Sequence, residues 1–284
     1  MRSLNLQYLK IAPYLLFEIK KAKANSKISQ FMSYTSNNLF TETEDTDSST
    51  YRTFATDGPK KKSENYFVNE LAYDLINKTV INPFSFRFSL EHNDKMAKIS
   101  ATFNYKYSLS KTHDISVRAF AGTFISGSDN DKGAYAFRMS GYNGYHDYAF
   151  NDNFVARNET HGFGFSQFSE RDGVMKVWTP LGQTTNWLAA VNIKSPRLFI
   201  LPVKIFVDIS TCDGRSLNND KILWAAGANI VIWKDIIDIY IPVSYSKDIQ
   251  TTLDLNNIDF WNRIRFTLNL HKLVPRNFIK DYLF

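Results

Sequence analysis

The sequence has little of several features that would define other protein classes. It has 284 residues but only one cysteine, Cys212, which excludes a disulfide framework and a thiolate metal cluster within one chain. Glycine (12) and proline (8) are sparse, which excludes collagen-like and low-complexity chains. No apolar run approaches the roughly 20 residues of a membrane-spanning helix. The amino terminus is interrupted by Asn5, Gln7, Lys10 and Pro13, so it lacks the pattern of a secretory signal.

The sequence also lacks a large excess of either positive or negative charge. The chain has 34 Lys and Arg against 28 Asp and Glu, a net charge of +6. The basic residues are interleaved with acidic ones instead of forming a basic face, so we expect no nucleic-acid partner. Opposite charges meet in residues 41–62, which we predict to be a solvated polar loop, with a recognition loop as the alternative.

What the sequence does have is strict alternation. From residue 84 to 91, Phe and Leu occupy one parity and Ser, Arg and Glu the other, and residues 98–109 repeat the pattern. Successive side chains of a strand point to opposite faces, so each such segment is a strand with one apolar and one polar face. Similar segments, joined by turn residues, give about fourteen strands and no helix with a clear apolar stripe. The weaker strand candidates include residues 135–140, 163–168 and 174–178. The predicted fold is antiparallel all-β.

Alternation alone fits two folds. A soluble β-sandwich buries the apolar face, whereas a transmembrane barrel turns it to lipid and the polar face to a lumen. Strand length and the many aromatic residues near strand ends favour the transmembrane barrel, with the soluble sandwich as the alternative. The predicted lipid-facing residues are Phe84, Phe86, Phe88, Phe103, Tyr105, Ile205, Val207, Ile239, Ile241, Ile264, Phe266 and Leu268. The predicted lumen-facing residues are Arg87, Lys106, Arg118, Lys204, Asp208, Asp238, Arg263 and Arg265.

Three segments carry a resemblance to a known family: VNELAYDLINKTVINPFSFRFSLEH (68–92), GVMKVWTPLGQTTNWLAAVNIKS (173–195) and NRIRFTLNLHKLVPRNF (262–278). The block TPLGQ (179–183) is the most specific piece. Together they resemble the carboxy-terminal outer-membrane barrel of large Gram-negative proteins whose amino-terminal part is similar to the gluzincin, or membrane alanyl aminopeptidase, family. The resemblance implies that residues 1–284 form a single barrel domain at the end of a longer protein.

The resemblance does not imply that this chain is itself a peptidase. Gluzincins need His-Glu-x-x-His, which places two zinc ligands on one helical face, and no two of the five histidines here are four residues apart. Within the polar loop 141–160, His146 is the best candidate for a base, but its neighbour Asp147 points away from it on an extended chain. We therefore interpret this loop as a packed, hydrogen-bonding surface loop. The sequence predicts no catalytic residue, metal site or cofactor in this chain.

The function expected from the sequence is that of a membrane anchor or translocator in the outer membrane of a Gram-negative bacterium. The expected partners are outer-membrane lipid and lipopolysaccharide, the barrel-assembly machinery, and an upstream fused peptidase module. Phe284 closes the tail 272–284 and is the candidate assembly signal. An independent porin or transport channel is the first alternative, and a lipolytic barrel enzyme is the second.

Overall fold

The protein is described from a computed structural model, which covers residues 7–19, 26–45, 60–110, 113–157, 159, 162–198, 202–213 and 221–270. The described chain is mostly antiparallel β-structure, as predicted. No helix in these ranges is long and apolar enough to cross a membrane. The strands are β1 Gln7–Ile11, β2 Tyr14–Ile19, β3 Ile28–Asp45, β4 Lys60–Asn77, β5 Phe84–His92, β6 Ala97–Ser108, β7 Asp114–Ser126, β8 Phe137–Arg138, β9 Gln183–Thr184, β10 Trp187–Lys194, β11 Val203–Cys212, β12 Leu223–Trp233, β13 Ile237–Tyr245 and β14 Arg265–Leu268. The helices are α1 Asp129–Lys132, α2 Gly162–Phe165 and α3 Lys247–Leu255.

Twelve strands form one sheet in the order β1-β3-β4-β5-β6-β7-β10-β11-β12-β13-β14, and β2 also pairs with β3. β1 and β2 lie on the same edge of β3 in a single register, because Gln7 faces Glu42 and Tyr14 faces Thr35. They are one strand interrupted near Pro13, which has no N–H to give to the ladder. The remaining two strands, β8 and β9, pair with each other apart from the sheet.

The sheet has an end with short links and an end with long ones. The registers place links 78–83, 109–113, 195–202 and 234–236 together at the short-link end. The opposite end carries the links 46–59, 127–186, 213–222 and 246–264, together with the short turn 93–96. We call residues 127–186 the insert, because they separate β7 and β10, which are neighbours in the sheet.

The two faces of the sheet differ as the alternation predicts. In β11, Phe206 and Asp208 are 0% exposed, whereas Ile205 is 48% and Ile209 40% exposed. We call the face with the buried side chains the inner face, since the insert packs on it, and the opposite face the outer face. The predicted lipid-facing residues within strands all have outer-face parity, and Ile264 precedes β14. None of them belongs to the buried core clusters of the described residues.

The predicted closure of the sheet into a barrel is not seen in the described residues. There, β1 and β2 at one edge do not pair with β14 at the other. The free edge of β14 instead bonds the insert, because the Phe266 amide donates to the Ser166 carbonyl and the Phe168 amide donates to the Phe266 carbonyl. A strand edge that is already occupied by the insert has no free backbone groups at that point for another strand.

Several local predictions were wrong. Among the described residues of the insert, the predicted strand 135–140 is formed only at Phe137–Arg138, in β8. The strands predicted for 163–168 and 174–178 are not formed, and 163–165 are in α2. α3 was not predicted, yet it buries Ile249 and Leu253, one turn apart. The predicted loop 41–62 begins and ends inside strands, since β3 reaches Asp45 and β4 starts at Lys60. The tail 272–284, including Phe284, and loop residues 46–59 lie outside the described residues.

Candidate functional site

The insert lies within the curve of the sheet and reaches both of its edges. At one edge, Lys10 Nζ of β1 donates to the carbonyls of Ala149 (2.8 Å) and Phe150 (3.1 Å). At the other edge, the insert bonds the backbone of Phe266 in β14, as described above. We interpret these contacts as those of a segment around which the sheet curves. The described part of loop 141–160 is packed and hydrogen-bonded as predicted, but it is only partly at the surface, because Tyr142 is 1% and Tyr145 67% exposed.

A buried ion pair fixes the insert to the middle of the inner face. Lys176 Nζ of the insert lies 2.7 Å from Asp208 Oδ1 of β11, and the two side chains are 1% and 0% exposed. Asp208 Oδ2 accepts a hydrogen bond from the Lys176 amide (2.8 Å), and its Oδ1 accepts one from Asn192 Nδ2 (2.9 Å). Burial lowers the pKa of Lys176, which the Asp208 charge opposes. A buried charge pair needs such additional donors, because its desolvation is expensive.

A second polar network lies nearer the short-link end. Lys194 Nζ of β10 is 3.0 Å from Glu170 Oε1 of the insert and donates to Tyr240 Oη (2.7 Å). Tyr240 Oη in turn donates to Asp238 Oδ2 (3.3 Å). The positive charge of Lys194 lowers the pKa of Glu170 to about 2, against the effect of burial. The insert is thus connected by ion pairs to β10 and β11, and to β13 by a hydrogen bond from the Tyr240 hydroxyl.

Arg265 of β14 supports the insert through backbone oxygens. Its guanidinium donates to the carbonyls of Ser140 (2.7 Å) and Met175 (3.3 Å), and it lies 4.2 Å from the centre of the Phe168 ring. The side chain is buried, and no described carboxylate lies within ion-pair distance of it. The first turns of the insert are held in a similar way, because Lys98 of β6 donates to the Tyr135 carbonyl (3.2 Å).

An apolar layer closes the long-link end of the interior. Phe137, Met139, Met175 and Val177 of the insert are at most 1% exposed. They pack in one cluster with inner-face residues of the sheet and with α3, namely Phe120, Leu188, Ala190, Leu223, Ala225, Ile249 and Leu253. Burying this apolar surface, at about 25 cal/mol per Å², adds a non-directional attraction to the ion pairs described above.

The structure places the predicted lumen-facing residues in different environments. Arg118, Asp208, Asp238 and Arg265 contact the insert or the network beside it. Lys106 and Lys204 line the cavity described below. Arg87 pairs with Glu70 and Asp74 of β4 (2.7 and 2.9 Å). Arg263 is not in a strand: it lies in the 3-10 turn Phe260–Arg263 and donates to Tyr245 Oη.

The residues on the insert side of these pairs were not singled out from the sequence. Lys176, Glu170 and Arg171 lie in irregular segments with no periodicity that could assign them to a face. The one feature of the sequence that relates to them is the long stretch between β7 and β10. Nothing in the sequence indicates that these two strands are neighbours in the sheet. The interior is therefore filled by a folded segment that joins two neighbouring strands.

A cavity of about 1260 Å³ with many charged side chains remains between the insert and the short-link end. Its walls include residues of β6, β7, β10, β11, β12 and β13, and its inner end is formed by Glu170, Arg171 and Lys176 of the insert. Val80, Leu109 and Ile236, in short links, surround its mouth. The interior thus has a blocked half and an accessible half.

The candidate base His146 does not form a catalytic pair. Burial and the charges of Arg138 and Arg265 lower the pKa of His146 to about 3. The neighbouring Asp147 carboxylate is bonded to Arg157 (3.1 Å) and to the amides of Asn151 and Asp152. Among the described residues, no group of three or more His, Cys, Asp or Glu side chains could hold a metal ion.

We expect acid to weaken the docking of the insert. His146 stays neutral down to about pH 3 in the folded protein, but an unfolded histidine gains a proton below about 6.5, so stability falls between these values. Glu170 adds a further loss of stability as pH falls from about 4.5 to about 2.

Proteolysis of detergent-solubilised protein should cut the insert faster at pH 4 than at pH 7. His146→Gln should reduce this difference and the exposed-site control His92→Gln should not; equal cutting at both pH values contradicts the expectation.

Comparisons with known proteins add no assignment to this geometry. No protein-family model matches the chain, and no curated protein matches it at a significant level. The resemblance to gluzincin-associated barrels therefore stays a prediction.

Proposed function

We propose that this chain is an outer-membrane β-barrel that anchors a protein in the bilayer and whose interior is blocked to solutes by its insert. The observation that carries the proposal is the contact of one insert with both edges and the centre of the inner face. A segment held in this way occupies the space through which solutes would pass in an open barrel.

The outer face supports the membrane assignment. Outer-face aromatic and aliphatic side chains such as Phe103 (39%), Ile205 (48%) and Trp224 (38%) are exposed on it. An exposed apolar face of this extent is unfavourable in water, whereas acyl chains would cover it. The short links at one end and long links at the other also match the asymmetry of outer-membrane barrels, in which the long links are extracellular.

The proposal requires that the two edges of the sheet are joined into a closed barrel. Backbone groups left unpaired in lipid cost several kcal/mol each, so an open sheet would not persist in a bilayer. β1, β2 and β14 all run towards the short-link end, as the registers require. A direct pairing of these edges would therefore be parallel, and antiparallel closure would need one further strand that runs in the opposite direction. That strand would have to pair with the part of the β14 edge that the insert leaves free, because the insert already bonds the backbone of Phe266.

The proposed partners of the barrel are those that the sequence resemblance implies. We propose that the barrel anchors a gluzincin-like peptidase module, contacts lipopolysaccharide with its long-link end, and is assembled by the barrel-assembly machinery. The catalytic work would belong to the attached module, because this chain has no His-Glu-x-x-His sequence.

Conductance in planar bilayers tests the closed state. We expect the full chain to give no steady current, because the insert is held by buried ion pairs. Replacing residues 128–185 with a short glycine-containing turn should produce steady channels, since β7 and β10 already pair in register at Trp187 and Thr123. A matched replacement of residues 94–95 by two glycines should stay closed. Steady current through the full chain would contradict the proposal and favour the porin alternative, to which the polar cavity also points.

A further inference from the structure

The cavity below the insert has more basic than acidic side chains in its walls. The basic ones are Lys106, Arg118, Arg171, Lys176, Lys194, Arg197, Lys204 and Lys234. The acidic ones are Asp114, Asp152, Glu170, Asp235 and Asp238. A concave site with an excess of one sign of charge attracts ions of the opposite sign.

Most of the acidic groups are already engaged. Asp152 accepts from Arg171 (2.7 Å), Glu170 from Lys194 (3.0 Å), and Asp238 from Tyr240 (3.3 Å). The two ion pairs each use one wall cation, Arg171 and Lys194, and they leave the cavity with more basic than acidic side chains outside such pairs.

Some cations of the walls have no such carboxylate. Among the described residues, none lies within ion-pair distance of Lys106, Arg118 or Arg197, and the nearest to Lys204 Nζ is Asp114, at the limit of 4.0 Å. The register places Lys106 and Lys194 on either side of Ser116, so their side chains point into the same part of the interior. Asn104, Asn229 and Ser116 add polar groups to these walls.

From this arrangement we infer that the cavity binds a small anionic solute that carries phosphate, held by Lys106, Arg197 and Lys204. Charged donors form the strongest hydrogen bonds to phosphate oxygens, and an arginine can bind two of them at once. The cavity opens at the short-link end, and its volume of about 1260 Å³ is ample for a small organic phosphate. This inference does not depend on the membrane proposal, because it concerns the inner face alone.

Calorimetric titration of the full chain in an uncharged detergent tests it, with pyrophosphate as the probe. We expect saturable binding that weakens as sodium chloride is added. The double variant Lys106→Gln/Lys204→Gln should bind at least about tenfold more weakly, because it loses two charge-assisted contacts. The control Lys78→Gln/Lys95→Gln removes the same charge at exposed positions outside the cavity and should bind as the parent does.

Two results would overturn the inference. One is the absence of saturable binding to the parent chain, and the other is an equal loss in the two double variants, which would indicate attraction by net charge alone. All variants should first show the β-sheet circular dichroism and melting behaviour of the parent. Phosphatidylglycerol added to the detergent distinguishes the source of the phosphate: an unchanged pyrophosphate affinity assigns the site to a solute, whereas competition contradicts this and assigns it to a lipid head group.

Discussion

Replacing Asp208 with Asn should lower the free energy of unfolding by about 3–5 kcal/mol, because it leaves the buried Lys176 ammonium without its counter-charge. The Asn192 amide and the Lys176 backbone amide would also lose an ionic acceptor. Thermal unfolding in detergent, followed by circular dichroism, measures the loss. Limited proteolysis should show the insert cut before the strands, since the pair joins these two parts.

The matched control replaces both partners. Lys176→Met/Asp208→Leu removes the two charges together, so it should unfold at a temperature much closer to that of the parent than Asp208→Asn does. Lys204→Gln is a second control, because its nearest described carboxylate is 4.0 Å away and its loss should cost at most about 1 kcal/mol. If Asp208→Asn melts like the parent, the insert is not held by this ion pair, and the docking described above is wrong.

A charge in the middle of an outer-face strand should be as damaging as a broken buried pair. Val207 lies at the centre of β11 and has outer-face parity. If this face meets acyl chains, Val207→Lys should cost about 2–4 kcal/mol, the range for a lysine near the bilayer midplane. Val203→Lys is the matched control, since it changes the same residue type on the same face at the end of the same strand. Near the interface the cost should be about 0–1 kcal/mol.

Reversible unfolding in phospholipid vesicles measures both effects. A large difference between the two variants supports a bilayer around the sheet, because depth is the main feature that separates them. Equal and small losses would show that water surrounds this face. Equal and large losses would show that both positions are packed against protein, as in the soluble β-sandwich that the alternation also allows.

The sheet could be predicted from the sequence because its signal is local. Alternation over residues 84–91 and 98–109 assigns each side chain to a face, and the structure places Ser89 and Lys98 inside and Phe88 and Phe103 outside, as that parity requires. A strand with one buried face cannot shift by one residue without moving all its apolar side chains to the other face.

The docking site could not be predicted because its contacts are distant in sequence. Lys176 and Asp208 are 32 residues apart, and Arg265 reaches Ser140 across 125. No local pattern indicates that residues 127–186 turn inward between two neighbouring strands. Their aromatic and apolar residues suggested strands at 135–140 and 174–178, but only Phe137–Arg138 is a strand, and Phe137, Met139, Met175 and Val177 are buried by packing on the inner face. Tertiary burial here overrides the local preference for extended structure.

The most direct test of the central claim is the environment of the outer face in a lipid bilayer. In a Cys212→Ser background, single cysteines at Ile205, Val207 and Ile209 can each carry a nitroxide, and one at the buried Ala190 serves as the inner-face reference. We predict that collisions with oxygen exceed those with a water-soluble nickel complex at the three outer positions and are greatest at Val207, whereas both are rare at Ala190. Nickel collisions that dominate at all three outer positions would contradict the account, because they would place this face in water.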